Sequence, residues 1–451
     1  MSNKETNQLE RKLELFPITN IVIANMIGAG IFTTSGLLMA DLNNPLLMML
    51  LWMVGGIIAL CGALAYGELG AAMPQAGGEY IFLSKLYHPL FGFLSGWVSF
   101  IVGFSAPIAA SSIGFSEYFS RAFPTLFEWG SSNDLLNPEI LKKILSVFII
   151  LLFTSIHLRG IEFGSIVQNY LTVLKVGLVV ILILAGLSLG RGDYTHFFQG
   201  AKFTFNFAGW KTIGLSLMWI MFSYSGWNAA TYIGSEIKNP SKILPLSLLL
   251  GTAIVIVLYL SLNILFIYAI PPEEMKGVIS IGGLAMGNLF SSSAEIIFSL
   301  LISFALFSSL SAFIILGPRV YYSMAKEGYF FKSISKVHPT YHVPSKAILL
   351  QAAISIIMVL SGTFDQILTY MGFALGIFPI LAVLGVFKLR YLQKNPFMFP
   401  GFPYTTSLYI LAGLFMLTLA FFERPIESSI AVLTVLTGLP VYFVFKKKYI
   451  H

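Results

Sequence analysis

Charge is scarce in this chain. Of its 451 residues only 10% are Asp, Glu, Lys or Arg, where a soluble domain carries about 25%. The deficit excludes an ordinary water-soluble fold. Cysteine is scarcer still: Cys61 stands alone inside an apolar run. An intrachain disulfide is therefore impossible, and one to a partner is disfavoured. The 6 histidines are scattered over loops and segment ends, with no metal-ligand spacing. Walker, zinc and nucleophile–base patterns are missing, which argues against ATP coupling, against catalysis and against a cofactor. RNP, zinc-finger and basic-helix patterns are missing too, so the net charge of +7 does not point to nucleic acid. Positive charge held on the cytoplasmic side of a membrane accounts for it. There are no low-complexity tracts and no connection long enough for a soluble domain. The opening segment Met1 to Phe16 is charged and mixed in sign. The long apolar run after it has no A-x-A site, so it does not resemble a cleavable signal peptide.

What the chain has in abundance is apolar length. It is 57% hydrophobic, with a mean hydropathy of +0.83. Runs long enough to cross a bilayer, about 18 residues or more, recur along it. We place candidate spans at 17–39, 45–68, 89–118, 143–158, 163–190, 210–234, 243–270, 295–323, 346–362, 366–387, 404–422 and 427–445. Apolar runs of this length without alternation form helices, not a barrel. The expected fold is an all-α polytopic membrane protein of about 12 transmembrane helices. With the N-terminus inside, Lys and Arg in cytoplasmic segments outnumber those outside. The positive-inside rule then sets both termini in the cytoplasm of a cell membrane, plasma or inner.

Two of these spans are broken by glycine, at matching places in the two halves. The first reads Met26-Ile27-Gly28-Ala29-Gly30-Ile31-Phe32, the second Phe222-Ser223-Tyr224-Ser225-Gly226-Trp227-Asn228. A break frees backbone N–H and C=O groups that lipid cannot satisfy, so they must face protein or a polar cavity. A matched pair points to the binding site of a carrier for a small polar solute. Spans one to five and six to ten are both odd-numbered units, so the second enters the membrane inverted relative to the first. The expected organisation is a cytoplasmic tail (1–16), a first inverted repeat (17–190), a second (210–387) and two further helices (404–445).

A half-helix that begins after a break presents free N–H groups and a partial positive charge, suited to a carboxylate. One that ends before a break presents carbonyls, suited to an ammonium. An α-amino acid carries both groups on one carbon. Gly28, Gly30 and Gly226 lack a Cβ and allow close approach. Helix packing of the small-xxx-small kind is the plainer explanation for either glycine pair alone; matching positions in both halves favour the site.

Lys175 is the one Lys or Arg outside the end regions of the spans. A charge so deep is costly and marks function by default. It is a candidate coupling site for a proton, or a fixed stand-in for a metal cation; no bound metal is expected. Asn263 and Tyr259 in span seven either line the cavity or bond between helices. Trp97 and Pro107 in span three are expected to set packing and a kink. Glu68, Glu79, Glu117 and Glu295 fall near span ends, where solvation is easy. No acidic residue lies deep in a span, which disfavours lysine, arginine or a polyamine as substrate.

Three segments carry a family resemblance: Ile27-Gly28-Ala29-Gly30-Ile31-Phe32, Pro74-Gln75-Ala76-Gly77-Gly78-Glu79-Tyr80, and the second break continued through Glu236-Ile237-Lys238-Asn239-Pro240 to Leu244-Pro245-Leu246. In them, and over about residues 15 to 445, the chain resembles the amino acid–polyamine–organocation superfamily, most of all the L-type amino acid transporter branch. The resemblance implies a LeuT-like five-plus-five inverted repeat with helices 1 and 6 broken. It implies a substrate carboxylate on the N–H groups of Ala29 and Gly30, and an ammonium near the carbonyls of Met26, Phe222 and Ser225. Phe222 resembles the aromatic lid, and Asn228 a residue that supports the site. Lys175 matches a lysine placed where sodium-coupled relatives hold a cation, which implies sodium independence. The candidate substrate-binding residues are thus Met26, Ile27, Gly28, Ala29, Gly30 and Ile31, with Phe222, Ser223, Ser225, Gly226 and Asn228.

The chain departs from the branch in two ways. Ala29 stands where serine is frequent, and Ser225 where some relatives have glycine or aspartate. The segment Arg121 to Leu141 has no cysteine, so no disulfide-linked accessory subunit is expected. The resulting expectation is a sodium-independent carrier of neutral L-amino acids, an exchanger or else a proton-coupled symporter, whose partners are the amino acid and the bilayer. A non-transporting amino acid receptor, a channel and a membrane enzyme are the readings from other classes. Short tails, the absence of a charged ring and the absence of catalytic groups argue against them.

Overall fold

Several crossings begin where a capping side chain meets a residue that can start a helix. The computed structural model describes residues 11, 13–75, 77–128, 137–159, 161–338, 340–341, 343–362, 364–392, 398–399 and 401–449. Most of the tail 1–16, Ala76 of the second motif and residues 129–136 lie outside the described residues. The first crossing is α1 (Leu15–Met26) followed by α2 (Ala29–Leu42). The second is α3 (Pro45–Ala72), where Asn44 accepts a bond from Leu47 N and Pro45 takes the first helical position. The short α4 (Glu79–Leu86) leads to the third crossing, α5 (Pro89–Val98), a π-helical turn Ser99–Gly103 and α6 (Ser105–Ala122). The kink expected there is the π turn. Pro107 lies just after it and removes the N–H that would bond the carbonyl of Gly103. Trp97 donates to Thr437 Oγ1 at 3.1 Å, a packing role.

After the short α7 (Pro124–Glu128), the fourth and fifth crossings are α8 (Pro138–Leu158), capped by Asn137, and α9 (Ile161–Leu189). The sixth starts as α10 (Phe207–Ser223), capped by Asn206, and the seventh is α11 (Pro240–Ala269). Between the seventh and eighth crossings stand α12 (Pro272–Met275) and α13 (Ile281–Leu289). The remaining crossings are α14 (Ser292–Lys326), α15 (Ser345–Ser361), α16 (Phe364–Tyr391), α17 (Tyr404–Glu423) and α18 (Pro425–Tyr449). Ten of these crossings are long and apolar enough to span a membrane among the described residues. The sixth, and the 17-residue α15, complete the path.

The sixth crossing differs from expectation. A broken α-helix was expected over 210–234, with a second half-helix after the break. The α-helix ends at Ser223, and the chain continues in two 3₁₀ turns, Ala229–Tyr232 and Gly234–Glu236. Gly226, at φ +98°, turns the chain in a way only glycine adopts without strain. After this break the chain therefore does not resume as an α-helix until α11.

The most extensive packing contacts join α3 to α11 and α6 to α14. These pair the second crossing with the seventh and the third with the eighth. The interior is one continuous apolar cluster. The outer surface keeps large apolar side chains exposed along the helices, among them Ile57, Val173, Leu184, Val257, Ile357 and Leu411. Such a belt is the surface that lipid covers.

Candidate functional site

The two breaks cross in the middle of the bundle and touch through their glycines. The last turn of α1 closes with Ile27 N on Ile23 O at 2.9 Å, and Gly28 is extended before α2 resumes. A Cβ on Gly226 would lie 2.8 Å from the Asn25 carbonyl carbon, and one on Gly30 would lie 2.6 Å from Ser223 Cα. Both are contacts no larger residue could make. Between these crossing points lies a cleft of ≈ 10 Å³, room for about one water, bounded by Met26, Gly28, Ala29, Gly30, Ser223 and Ser225, among others. A cavity of ≈ 120 Å³ adjoins it and shares Asn25, Pro107, Phe222, Ser225 and Phe313. Gly226, Asn228 and Glu79 line this larger space. Ile27 and Ile31 line neither; both are fully buried in the core.

The freed carbonyls are largely occupied by protein. Lys175, fully buried on α9, donates to Ala24 O at 2.9 Å, to Ser309 Oγ at 3.0 Å and to Ile27 O. Ser309 Oγ also donates to Ile27 O at 2.8 Å. Two donors fill both lone pairs of that oxygen. The Tyr259 hydroxyl bridges Met26 O and Ser223 O, the latter at 3.0 Å. Of the two options for span seven, Tyr259 takes the role of holding both breaks together. Asn263 bonds between helices: its Oδ1 accepts from Ser35 Oγ at 2.6 Å. Phe222 O accepts from Ser225 N at 2.8 Å. Met26 O keeps one free lone pair for an ammonium, whereas Phe222 O is shared by Tyr224 N and Ser225 N and Ile27 O is full.

Ser223 is spent on structure. Its hydroxyl donates to Thr34 Oγ1 at 3.0 Å and Trp219 O at 3.1 Å, tying α10 to α2. At one end of the pathway Gly277 N bonds Gly36 O at 2.8 Å, which seats the loop before α13 on α2. At the other, Leu13 N bonds Glu236 O at 3.0 Å and Lys238 N bonds Leu13 O at 2.9 Å, so the chain ahead of α1 is strapped to the end of the sixth crossing.

The acidic residues overturn a sequence expectation. Glu68 and Glu79 sit near span ends, yet they are 2% and 6% exposed. Glu68 receives both guanidinium arms of Arg390 at 2.6 Å. Glu117 pairs with Lys142 at 3.0 Å and Glu295 with Arg121 at 3.3 Å. Glu79 lines the larger cavity and has no basic partner among the described residues. Its position at the start of a short helix after a Gly-Gly turn gave no sign of burial. Asn25, Pro107 and Phe313 were also missed as lining residues, although an asparagine one residue before a break was a usable signal.

A bundle of twelve crossings with two opposed helix breaks at a central cavity defines a membrane carrier, not an enzyme. A family model described as amino acid permease matches residues 13–444, and the chain belongs to that family, within the amino acid–polyamine–organocation superfamily. It is an amino acid transporter. It is similar to the serine/threonine exchanger SteT of Bacillus subtilis, with 29% identity over 98% of this chain and 99% of that one. It is also similar to the human cystine/glutamate transporter, 28% identical over 98% and 86%, and to the mouse b(0,+)-type amino acid transporter 1, 28% identical over 98% and 89%.

Proposed function

We propose that the chain is a sodium-independent exchanger of neutral L-amino acids that works by alternating access across the cell membrane, with both termini cytoplasmic. One observation carries the reading: Lys175 places a permanent nitrogen donor on the carbonyls of Ala24 and Ile27, against the first break. A donor already seated on those oxygens leaves them unavailable to a sodium ion. The substrate carboxylate lies at the start of α2, whose first N–H groups at Ala29 and Gly30 have no side-chain cap. The ammonium takes the remaining lone pair of Met26 O, with the carbonyls of Phe222 and Ser225 beside it. Phe222, 8% exposed and lining both spaces, serves as the lid, and Asn228 supports the site. The names of the relatives, an exchanger among them, support exchange. Cys61 is buried, so no cysteine is presented to a disulfide-linked partner, and the chain acts alone.

Proteoliposomes containing the purified chain test this with labelled alanine, serine and leucine. Uptake only into vesicles preloaded with amino acid, unchanged when sodium replaces choline, is the expected result. Uptake into empty vesicles driven by a sodium gradient overturns sodium independence. Uptake into empty vesicles driven by an inward proton gradient replaces exchange with proton symport.

A further inference from the structure

Glu79 is a buried carboxyl in the wall of the larger cavity with no basic side chain paired to it among the described residues. It opens α4, between the second and third crossings, and is 6% exposed. Oε1 accepts from Tyr66 Oη at 2.8 Å and Asn228 Nδ2 at 2.8 Å, with Tyr232 Oη at 3.4 Å. Oε2 has only Ser95 Oγ, at 3.4 Å. The titratable groups facing it are Tyr66 from α3, Tyr232 from the 3₁₀ turn of the sixth crossing and Tyr409 from α17. No lysine, arginine or histidine forms an ion pair with it among the described residues. Of the basic side chains on α16 and α14, Arg390 pairs with Glu68, Arg319 with Glu236, and Lys388 lies over the Tyr87 ring.

An ionised carboxyl out of water needs a counter-charge, or it takes up a proton. Burial pushes the Glu79 carboxyl above its ordinary value, while the bonds from Tyr66, Asn228, Ser95 and Tyr232 pull it back. Burial outweighs the bonds, so this carboxyl holds a proton more readily than an exposed glutamate. Two of its partners, Asn228 and Tyr232, sit on the unwound half of the sixth crossing, downstream of Gly226. We propose that Glu79 is a proton-binding site of the transport cycle, whose charge sets how firmly the unwound sixth segment is held against α3 and α4 and so controls the rate of exchange. Ionised, the carboxylate accepts from all four donors and clamps the segment. Protonated, it makes weaker, neutral bonds and lets the segment move. The inference rests on the exchange reading of the same cavity.

The test is the pH profile of serine counterflow in proteoliposomes, from pH 5 to 8, for the wild type and Glu79→Gln. Glutamine keeps the carbonyl acceptor for Tyr66 and Asn228 and turns its amide toward Ser95, so it copies the protonated acid. The wild type should slow about tenfold as pH rises, the factor that one unit of differential proton affinity supplies. Glu79→Gln should run flat at the wild-type low-pH rate. If Glu79→Gln is not monodisperse, Tyr66→Phe replaces it. Losing one donor to the charged form should move the wild-type midpoint up by about one pH unit. Identical profiles in wild type and variants, or a wild type without a titration, overturn the proposal. So does a Glu79→Gln chain that loses inhibition by lysine while keeping the wild-type profile, since the carboxylate would then serve a cationic side chain. A wild type that moves no amino acid at any pH removes the exchange reading, and this inference with it.

Discussion

Gly28 and Gly30 sit two residues apart in the first break and both border the cleft, but the room for a side chain differs between them. On Gly30 an added Cβ would meet Ser223 Cα at 2.6 Å, Oγ at 2.7 Å and Cβ at 2.8 Å. The nearest of these is backbone and cannot rotate away, so α2 must part from α10 by about 1 Å to reach carbon–carbon contact distance. The bond from Ser223 Oγ to Thr34 Oγ1 spans the same interface and would stretch with it. Overpacking of this kind costs about 1–3 kcal/mol, which lowers the ratio of properly closed to disrupted molecules about 5- to 150-fold. On Gly28 the nearest atoms are Ser309 Oγ at 3.5 Å and Cβ at 3.7 Å, ordinary contact. A methyl there is accommodated by the fold but borders the ≈ 10 Å³ cleft beside the start of α2. Gly30→Ala should therefore lower the thermal midpoint of the detergent-purified chain, with transport falling as folded protein is lost. Gly28→Ala should keep the wild-type midpoint while the concentration of serine needed for half-maximal counterflow rises about tenfold, the equivalent of ~1.4 kcal/mol. The pair is read by fluorescence-monitored unfolding and counterflow on the same preparations. A Gly30→Ala chain as stable as wild type, or a Gly28→Ala chain that unfolds early yet binds normally, would refute the reasoning.

Two further outcomes follow from the polar contacts. Lys175→Met removes two donated bonds from the first break and one from Ser309, and orphans Ala24 O while Ser309 still covers Ile27 O. Counterflow should fall at least about 100-fold, since two bonds from a charged donor are worth about 3 kcal/mol or more; unchanged transport would remove Lys175 from the mechanism. Arg390→Ala leaves the buried Glu68 carboxylate without its partner, at a cost of about 3–5 kcal/mol. Folded yield and thermal midpoint should drop, and adding Glu68→Gln should restore much of the loss. No recovery in the double variant would mean that the pair is not what holds α3 to α16.

The crossings and both breaks were legible because each follows from local chemistry. A bilayer demands apolar runs of a certain length, and glycine inside one interrupts the helix wherever the chain goes. Lys175 was legible for the same reason, since a lone charge in such a run must have a partner inside the protein. The sequence by itself thus determined the all-helical membrane class, the positions of the breaks and the presence of a buried lysine. What that lysine touches, Ala24, Ile27 and Ser309, came from the packing of α9 and α14 against the break. Only the tertiary structure decided that Gly30 is pressed against Ser223 while Gly28 has room beside Ser309, although both border the cleft, because their difference lies in what faces them from α10 and α14. It likewise decided that the sixth crossing continues as 3₁₀ turns and that Tyr259 spans both breaks. Glu68 and Glu79 show the limit most plainly. Position near a span end made them look solvated, but whether a carboxylate meets water depends on which distant segments close over it. Arg390 reaches Glu68 from 322 residues away. Asn228 and Tyr66 reach Glu79 from different helices, and no local pattern encodes that meeting.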